Sequence, residues 1–191
     1  ITGGPLALGI TLLPGAFWIL YASEWLPTLG SYFKRLKRIL VVNSAIVALA
    51  WAIAVVGLPM AFAEASVTPL SAVVFVYLFV DTFVNTEIPN VRDVEADAAV
   101  GVSTIPVVFG VRRTRHVLYG LDLSLVAFVG IALSSGVLST TVAAAILAGL
   151  GYALVLAWFV GRSAAPGRLA IAGEAKHLVV FALLLAFTAG L

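Results

Sequence analysis

Residues 39–62 read ILVVNSAIVALAWAIAVVGLPMAF, a run without a single charged side chain. A helix needs about twenty mostly apolar residues to cross the hydrocarbon core of a bilayer, where each unpaired backbone amide costs several kcal/mol. The run is therefore read as a membrane-spanning helix. Comparable stretches lie on both sides of it, at Leu6–Tyr21, Pro69–Val84, Val117–Leu133, Thr141–Val160 and Leu169–Leu191. With them the chain is expected to hold about six spans, an all-α polytopic bundle forming a single membrane domain over residues 1–191. In the last stretch Glu174, Lys176 and His177 fall near the start, which leaves Leu178–Leu191 as its expected lipid-embedded part.

Composition agrees. Of 191 residues, 62% are apolar and 10% charged, with a mean hydropathy of +1.15, whereas soluble domains are roughly one quarter charged. A water-soluble globule is excluded, as is a disordered chain, which needs low hydrophobicity and high net charge; the net charge here is +2. The eleven Lys and Arg are scattered between apolar runs and form no basic face for nucleic acid. Cysteine is absent, which removes disulfides, thiol catalysis and Cys-based metal sites. Position 1 is Ile, and no charged segment precedes the first apolar stretch, so no signal peptide is read there.

Cations set the expected orientation, because short cytoplasmic loops retain Lys and Arg. They fall at Lys34, Arg35, Lys37 and Arg38, then at Arg92, Arg112, Arg113 and Arg115, then at Arg162, Arg168 and Lys176. With six spans all of these lie on one side, while the turns near 64–68 and 134–140 carry none. Those three segments are expected at the cytoplasmic face of a multi-pass cell-membrane protein, with residue 1 outside. Trp18, Trp25 and Tyr32 flank the first basic segment as interfacial anchors.

One polar stretch breaks the apolar pattern: residues 81–115, DTFVNTEIPNVRDVEADAAVGVSTIPVVFGVRRTR. It holds five of the nine acidic residues within seventeen positions, directly after an apolar span. Ionisable groups there are costly and mark a site by default. On one continuous helix Asn90, Asp93 and Asp97 share about 60° of arc, with Thr86 on the same face, Glu87 at its edge and Arg92 pointing away. Two carboxylates and an amide oxygen suit Mg²⁺, which takes hard oxygen ligands, keeps several waters and binds through one or two carboxylates plus phosphates. The same spacing also occurs on solvated helices, so these residues alone leave a plain polar loop and a metal site both open. Asp81 and Asp122 are candidates for supporting roles; His116 and His177 are read as interfacial.

The wording NVRDVEADAAVGVSTIPVVFG resembles the second aspartate-rich motif of the UbiA-type intramembrane prenyltransferases. The matching places are Asn90, Asp93, Asp97, Gly101, Thr104-Ile105-Pro106 and Gly110. Upstream, YASEWLP, FKRLKR and Asn43 are similar to that family's segment between its fourth and fifth helices. The resemblance implies a nine-span helical bundle in which two aspartate-rich motifs face each other across a cavity at the cytoplasmic side. Each holds Mg²⁺ against the diphosphate of an isoprenoid donor, and the prenyl group passes to a lipophilic acceptor. By position, Asn90, Asp93 and Asp97 take the metal-binding places, Asp93 and Asp97 being the catalytic pair, and Lys34, Arg35, Lys37 and Arg38 match the basic segment that approaches diphosphate. Asn90 stands where many members have Asp, and Ala96 where Gly is usual. No first motif of the NDxxDxxxD kind occurs in these residues, so the resemblance implies the C-terminal part of a longer enzyme, inactive alone. The implied acceptor is an aromatic quinone precursor, a tetrapyrrole or a glycerol-lipid hydroxyl. Two other classes remain: a membrane partner that binds prenyl diphosphate without turnover, and a transporter subunit with Asp93 and Asp97 on an ion path.

Overall fold

A computed structural model describes residues 3–22 and 39–189. Eight helices are described: α1 (Gly4–Ala22), α2 (Val42–Phe62), α3 (Pro69–Arg92), α4 (Val94–Ala99), α5 (Ile105–Phe109), α6 (Val111–Ser134), α7 (Thr140–Phe159) and α8 (Pro166–Ala189). Among the described residues five helices are long and apolar enough to span a membrane: α2, α3, α6, α7 and α8 as far as Phe187. The first expected span lies on α1, whose described apolar stretch, Gly4–Leu13, is shorter than a span. An all-helical, polytopic bundle is what the hydropathy pattern predicts.

Local chemistry fixes the ends of these helices. Thr68 caps α3 by accepting from the Ser71 amide at 3.1 Å, Ser71 Oγ accepts from the Thr68 amide at 2.8 Å, and Pro69 occupies the first turn, where its missing N–H costs nothing. Ser139 caps α7 in the same way, accepting from the Val142 amide. In α2 the backbone widens into a π turn at Ile53–Gly57, two residues before Pro59, whose ring has no N–H and clashes with the preceding turn of a regular helix. Gly101 and Gly110 take φ values of 74° and 77°, a region open to glycine at little cost, and Thr104-Ile105-Pro106 starts α5 with proline in the first turn.

Helix α3 is central, packed against α2, α6 and α8, with α7 covering α6 and α8. All three of its neighbours run antiparallel to it, since Glu87 meets Ser44, Asp81 meets Lys176 and Ile88 packs near Leu118. Small residues allow the closest approaches. A Cβ at Gly149 would lie 2.4 Å from Val180, and one at Gly173 would lie 2.6 Å from Asn85 Oδ1. Two apolar clusters stack along α3: Tyr77 with Leu125, Val129 and Leu150 toward its start, and Val84 and Ile88 with Leu118 and Leu156 toward its end.

This topology gathers Arg92, Arg112, Arg113, Arg115, Arg162 and Arg168 at one end of the bundle, while the turns at 63–68 and 135–139 carry no cation. Lys176 corrects the expected set. It lies ten positions into α8, with its side chain 2% exposed, and not in a loop at that end. By length and composition the candidate span of the last helix runs Pro166–Phe187, which starts before the expected Leu178. Asp81 is corrected too: α3 continues to Arg92, so Asp81 sits mid-helix and not near the end of a span.

Candidate functional site

The polar stretch after residue 84 is the last part of α3, followed by a break. Pro89 has no amide to donate to Asn85, and Asp93 leaves helical geometry at φ −97° and ψ 11°, ending α3 and starting α4. The expected single helix through Asn90, Asp93 and Asp97 is thus two helices meeting at Asp93. Asp97 belongs to the first turn of α4, its amide donating to the Asp93 carbonyl at 2.8 Å.

Arg92 does not point away from the carboxylates. Its Nε and Nη2 donate to Asp93 Oδ1 and Oδ2 at 2.7 and 2.6 Å, a bidentate pair. Those hydrogen bonds hold the Asp93 carboxyl below its usual range. Asp97 behaves oppositely: partial burial, and then the charge of Asp93, push its carboxyl up. Asn90, Asp93 and Asp97 carry oxygen donors of the hard kind that Mg²⁺ takes, and a dication would relieve the repulsion between the two carboxylates. Among the described residues no group of three or more His, Asp or Glu is arranged to hold a metal ion; a dication held here would take the rest of its ligands from phosphate oxygens and water. If so, Arg92 and metal compete for Asp93. Arg92→Ala is expected to tighten Mg²⁺ binding without diphosphate by about two- to fivefold, the scale of an exposed ion pair, as read by calorimetric titration.

Beneath this end lies a feature that the sequence pattern did not single out. Glu87 is fully buried and accepts from Ser44 Oγ at 2.5 Å, and Asn90 Nδ2 donates to the same Ser44 Oγ at 3.3 Å. The chain Asn90–Ser44–Glu87 ties α3 to α2 directly below the carboxylates. Deeper, Lys176 Nζ donates to Asp81 Oδ1 at 2.7 Å, and His177 Nε2 lies 3.0 Å from Asp81 Oδ2. Asp122, fully buried on α6, has neither carboxylate oxygen hydrogen-bonded and lies within the electrostatic reach of Lys176 and Asp81. Asp81 and Asp122, candidates for supporting roles, are therefore parts of one buried charge cluster at mid-bundle. His177 is not interfacial; it joins this cluster to a cavity.

That cavity, about 740 Å³, opens between α2, α3 and α8. Its wall is polar at Thr82, Asn85, Thr86, Glu174 and His177, and otherwise mainly apolar, with Trp51 and Phe181 among the lining groups. Thr86, which lines the cavity, lies one turn before Asn90 on α3. Lys34, Arg35, Lys37 and Arg38 lie outside the described residues; the described chain resumes at Ile39, at that same end.

The fold and this arrangement define a polytopic helical membrane protein with carboxylates at one end of the bundle and a largely apolar cavity between α2, α3 and α8. The family model of the UbiA prenyltransferase family matches residues 1–180, and the chain belongs to that family. No curated protein and no solved structure matches it.

Proposed function

We propose that the chain forms the acceptor-facing and second-motif part of an intramembrane prenyltransferase, which moves an isoprenoid group from a prenyl diphosphate to a lipophilic acceptor. The observation that carries this reading is the presence, in one bundle, of two neighbouring carboxylates, Asp93 and Asp97, at the end of α3, and of a cavity with the volume of a small-molecule site lined by Thr82, Asn85 and Thr86 of the same helix. Asn90, Asp93 and Asp97 would hold Mg²⁺, which when bound neutralises the charge that builds on diphosphate as the allylic C–O bond breaks. Arg92, released from Asp93, becomes a donor for phosphate oxygens, and Lys34, Arg35, Lys37 and Arg38 add positive charge from the segment leading to Ile39. The apolar cavity wall takes the isoprenoid chain and keeps water from the reacting carbon. The cationic end faces the cytoplasm by the distribution of Lys and Arg, and the site with it.

Binding tests the reading. The complete protein in nanodiscs, titrated with geranylgeranyl diphosphate, should bind it in millimolar Mg²⁺ and lose at least tenfold in affinity when the metal is chelated. Binding that ignores chelation would remove the metal-assisted mechanism. No binding at all would favour the transporter alternative.

A further inference from the structure

The carboxylate of Glu174 faces the cavity, open to it and without an ion pair among the described residues. One of its oxygens, Oε1, accepts from Asn85 Nδ2 at 2.8 Å. Asn85 itself is 6% exposed, with its Oδ1 unpartnered and backed by Gly173, where any side chain would collide with that oxygen. Gly173 thus leaves room for the amide where α3 meets α8, and the Asn85 donor holds Glu174 at the cavity wall. His177, one turn deeper on α8, is held in turn by Asp81.

An ionised carboxylate only accepts hydrogen bonds. It repels diphosphate, and an isoprenoid tail has nothing to donate to it. The complementary ligand is a second molecule that carries a hydrogen-bond donor. Depth along α3 agrees: Asn85 lies five residues before Asn90 and eight before Asp93, about 7.5 and 12 Å along the axis. A donor bound through its diphosphate at the carboxylate end, with its chain in the cavity, would pass the level of Glu174.

We infer that Glu174, held by Asn85, binds a hydroxyl-bearing acceptor and takes its proton during prenyl transfer. The inference rests on the prenyltransferase reading above. In the step, the allylic C–O bond breaks and its electron pair leaves on diphosphate. Where the acceptor oxygen forms the new bond to the allylic carbon, the hydroxyl proton passes to Glu174 and then to water; where a ring carbon forms it, Glu174 takes the hydroxyl proton as the dienone forms, and loss of the ring-carbon proton to water with return of the proton from Glu174 to oxygen restores the aromatic ring. Glu174 is a catalytic residue in this scheme and Asn85 a positioning residue.

The test compares the complete wild-type protein with Glu174→Gln and Glu174→Asp in nanodiscs. Mg²⁺-dependent binding of geranylgeranyl diphosphate is measured first, then kcat and acceptor KM with a para-hydroxylated benzoate, glycerol phosphate and protohaem. Turnover is expected with a hydroxyl-bearing probe. Glu174→Gln should keep donor affinity within about twofold, raise acceptor KM and lower kcat by about 10²-fold or more, the scale of a lost general base, and Glu174→Asp should restore part of the rate. A Gln variant with wild-type kcat and acceptor KM overturns the inference alone. So does donor binding with turnover confined to protohaem or absent with all three probes. A wild-type protein that binds no prenyl diphosphate overturns the underlying reading, and the inference with it.

Discussion

Lys176→Met is expected to destabilise the bundle by roughly 3–5 kcal/mol, the cost of removing one partner from a buried ion pair. Lys176 and Asp81 are 2.7 Å apart, with side chains 2% and 0% exposed, so the buried carboxylate left behind keeps His177, 3.0 Å from its other oxygen, as its one remaining hydrogen-bond partner among the described residues. The penalty should exceed that of a simple cavity, because the same ammonium also offsets Asp122, whose oxygens have no hydrogen-bond partner. Met keeps the length and most of the volume of the lysine stem, so the loss reports charge and not packing. The double variant Asp81→Leu with Lys176→Met should regain much of the stability, since an apolar pair of similar volume often replaces a buried ion pair at little cost. Unfolding in mixed micelles with increasing denaturing detergent measures both. A single variant that unfolds at the wild-type midpoint would show that the pair contributes nothing net.

This pair also marks where the sequence was legible and where it was not. The apolar runs announce the spans, because the bilayer imposes length and hydropathy on every crossing helix. Gly101, Thr104 to Pro106 and Gly110 announce the turn after the carboxylates, because positive φ and a proline in a first helical turn are local requirements. Lys176 and Glu174 were misplaced because their reasons are not local. Their partners, Asp81 and Asn85, are 95 and 89 positions away, and a lone lysine near polar neighbours looks like a loop cation until its partner is known. One signal was available: Asp81 lies eleven positions before Arg92 and Lys176 ten after Pro166, so two antiparallel spans place opposite charges at one depth. The kink at Asp93 was hidden for another reason. Asn90, Asp93 and Asp97 keep helical spacing, and Pro89 weakens the ladder one turn ahead of where the chain turns, so periodicity alone continues the helix past its end.

Asp97→Ala should lower prenyl-transfer turnover by about 10²- to 10³-fold or more, the scale of losing one group that stabilises developing charge, while leaving the protein folded. The prediction rests on the proposed function and separates a chemical role from a structural one. Asp97 lies on a six-residue helix and is only partly buried. Among the described residues no ion pair involves it, whereas Asp93 is gripped by Arg92. Removing Asp97 therefore takes away ligand charge without opening a core or stranding a cation. The loss should appear chiefly as weakened Mg²⁺ dependence: the variant needs more metal for half-maximal rate, and its maximal rate stays low because one metal ligand is gone. Asp97 carries a raised carboxyl pKa from burial and the neighbouring Asp93 charge, so without metal it binds its proton more readily than a free aspartate does. Metal must displace that proton, and apparent Mg²⁺ affinity should fall as pH drops toward the carboxyl range and recover above it. Asp97→Ala abolishes that part of the pH dependence. Glu95→Ala, an exposed acid on the same short helix, is the control and should leave turnover and Mg²⁺ dependence near wild type. Equal losses in the two variants would point to general electrostatics at this end of the bundle. Full activity in Asp97→Ala would take the site off this carboxylate altogether.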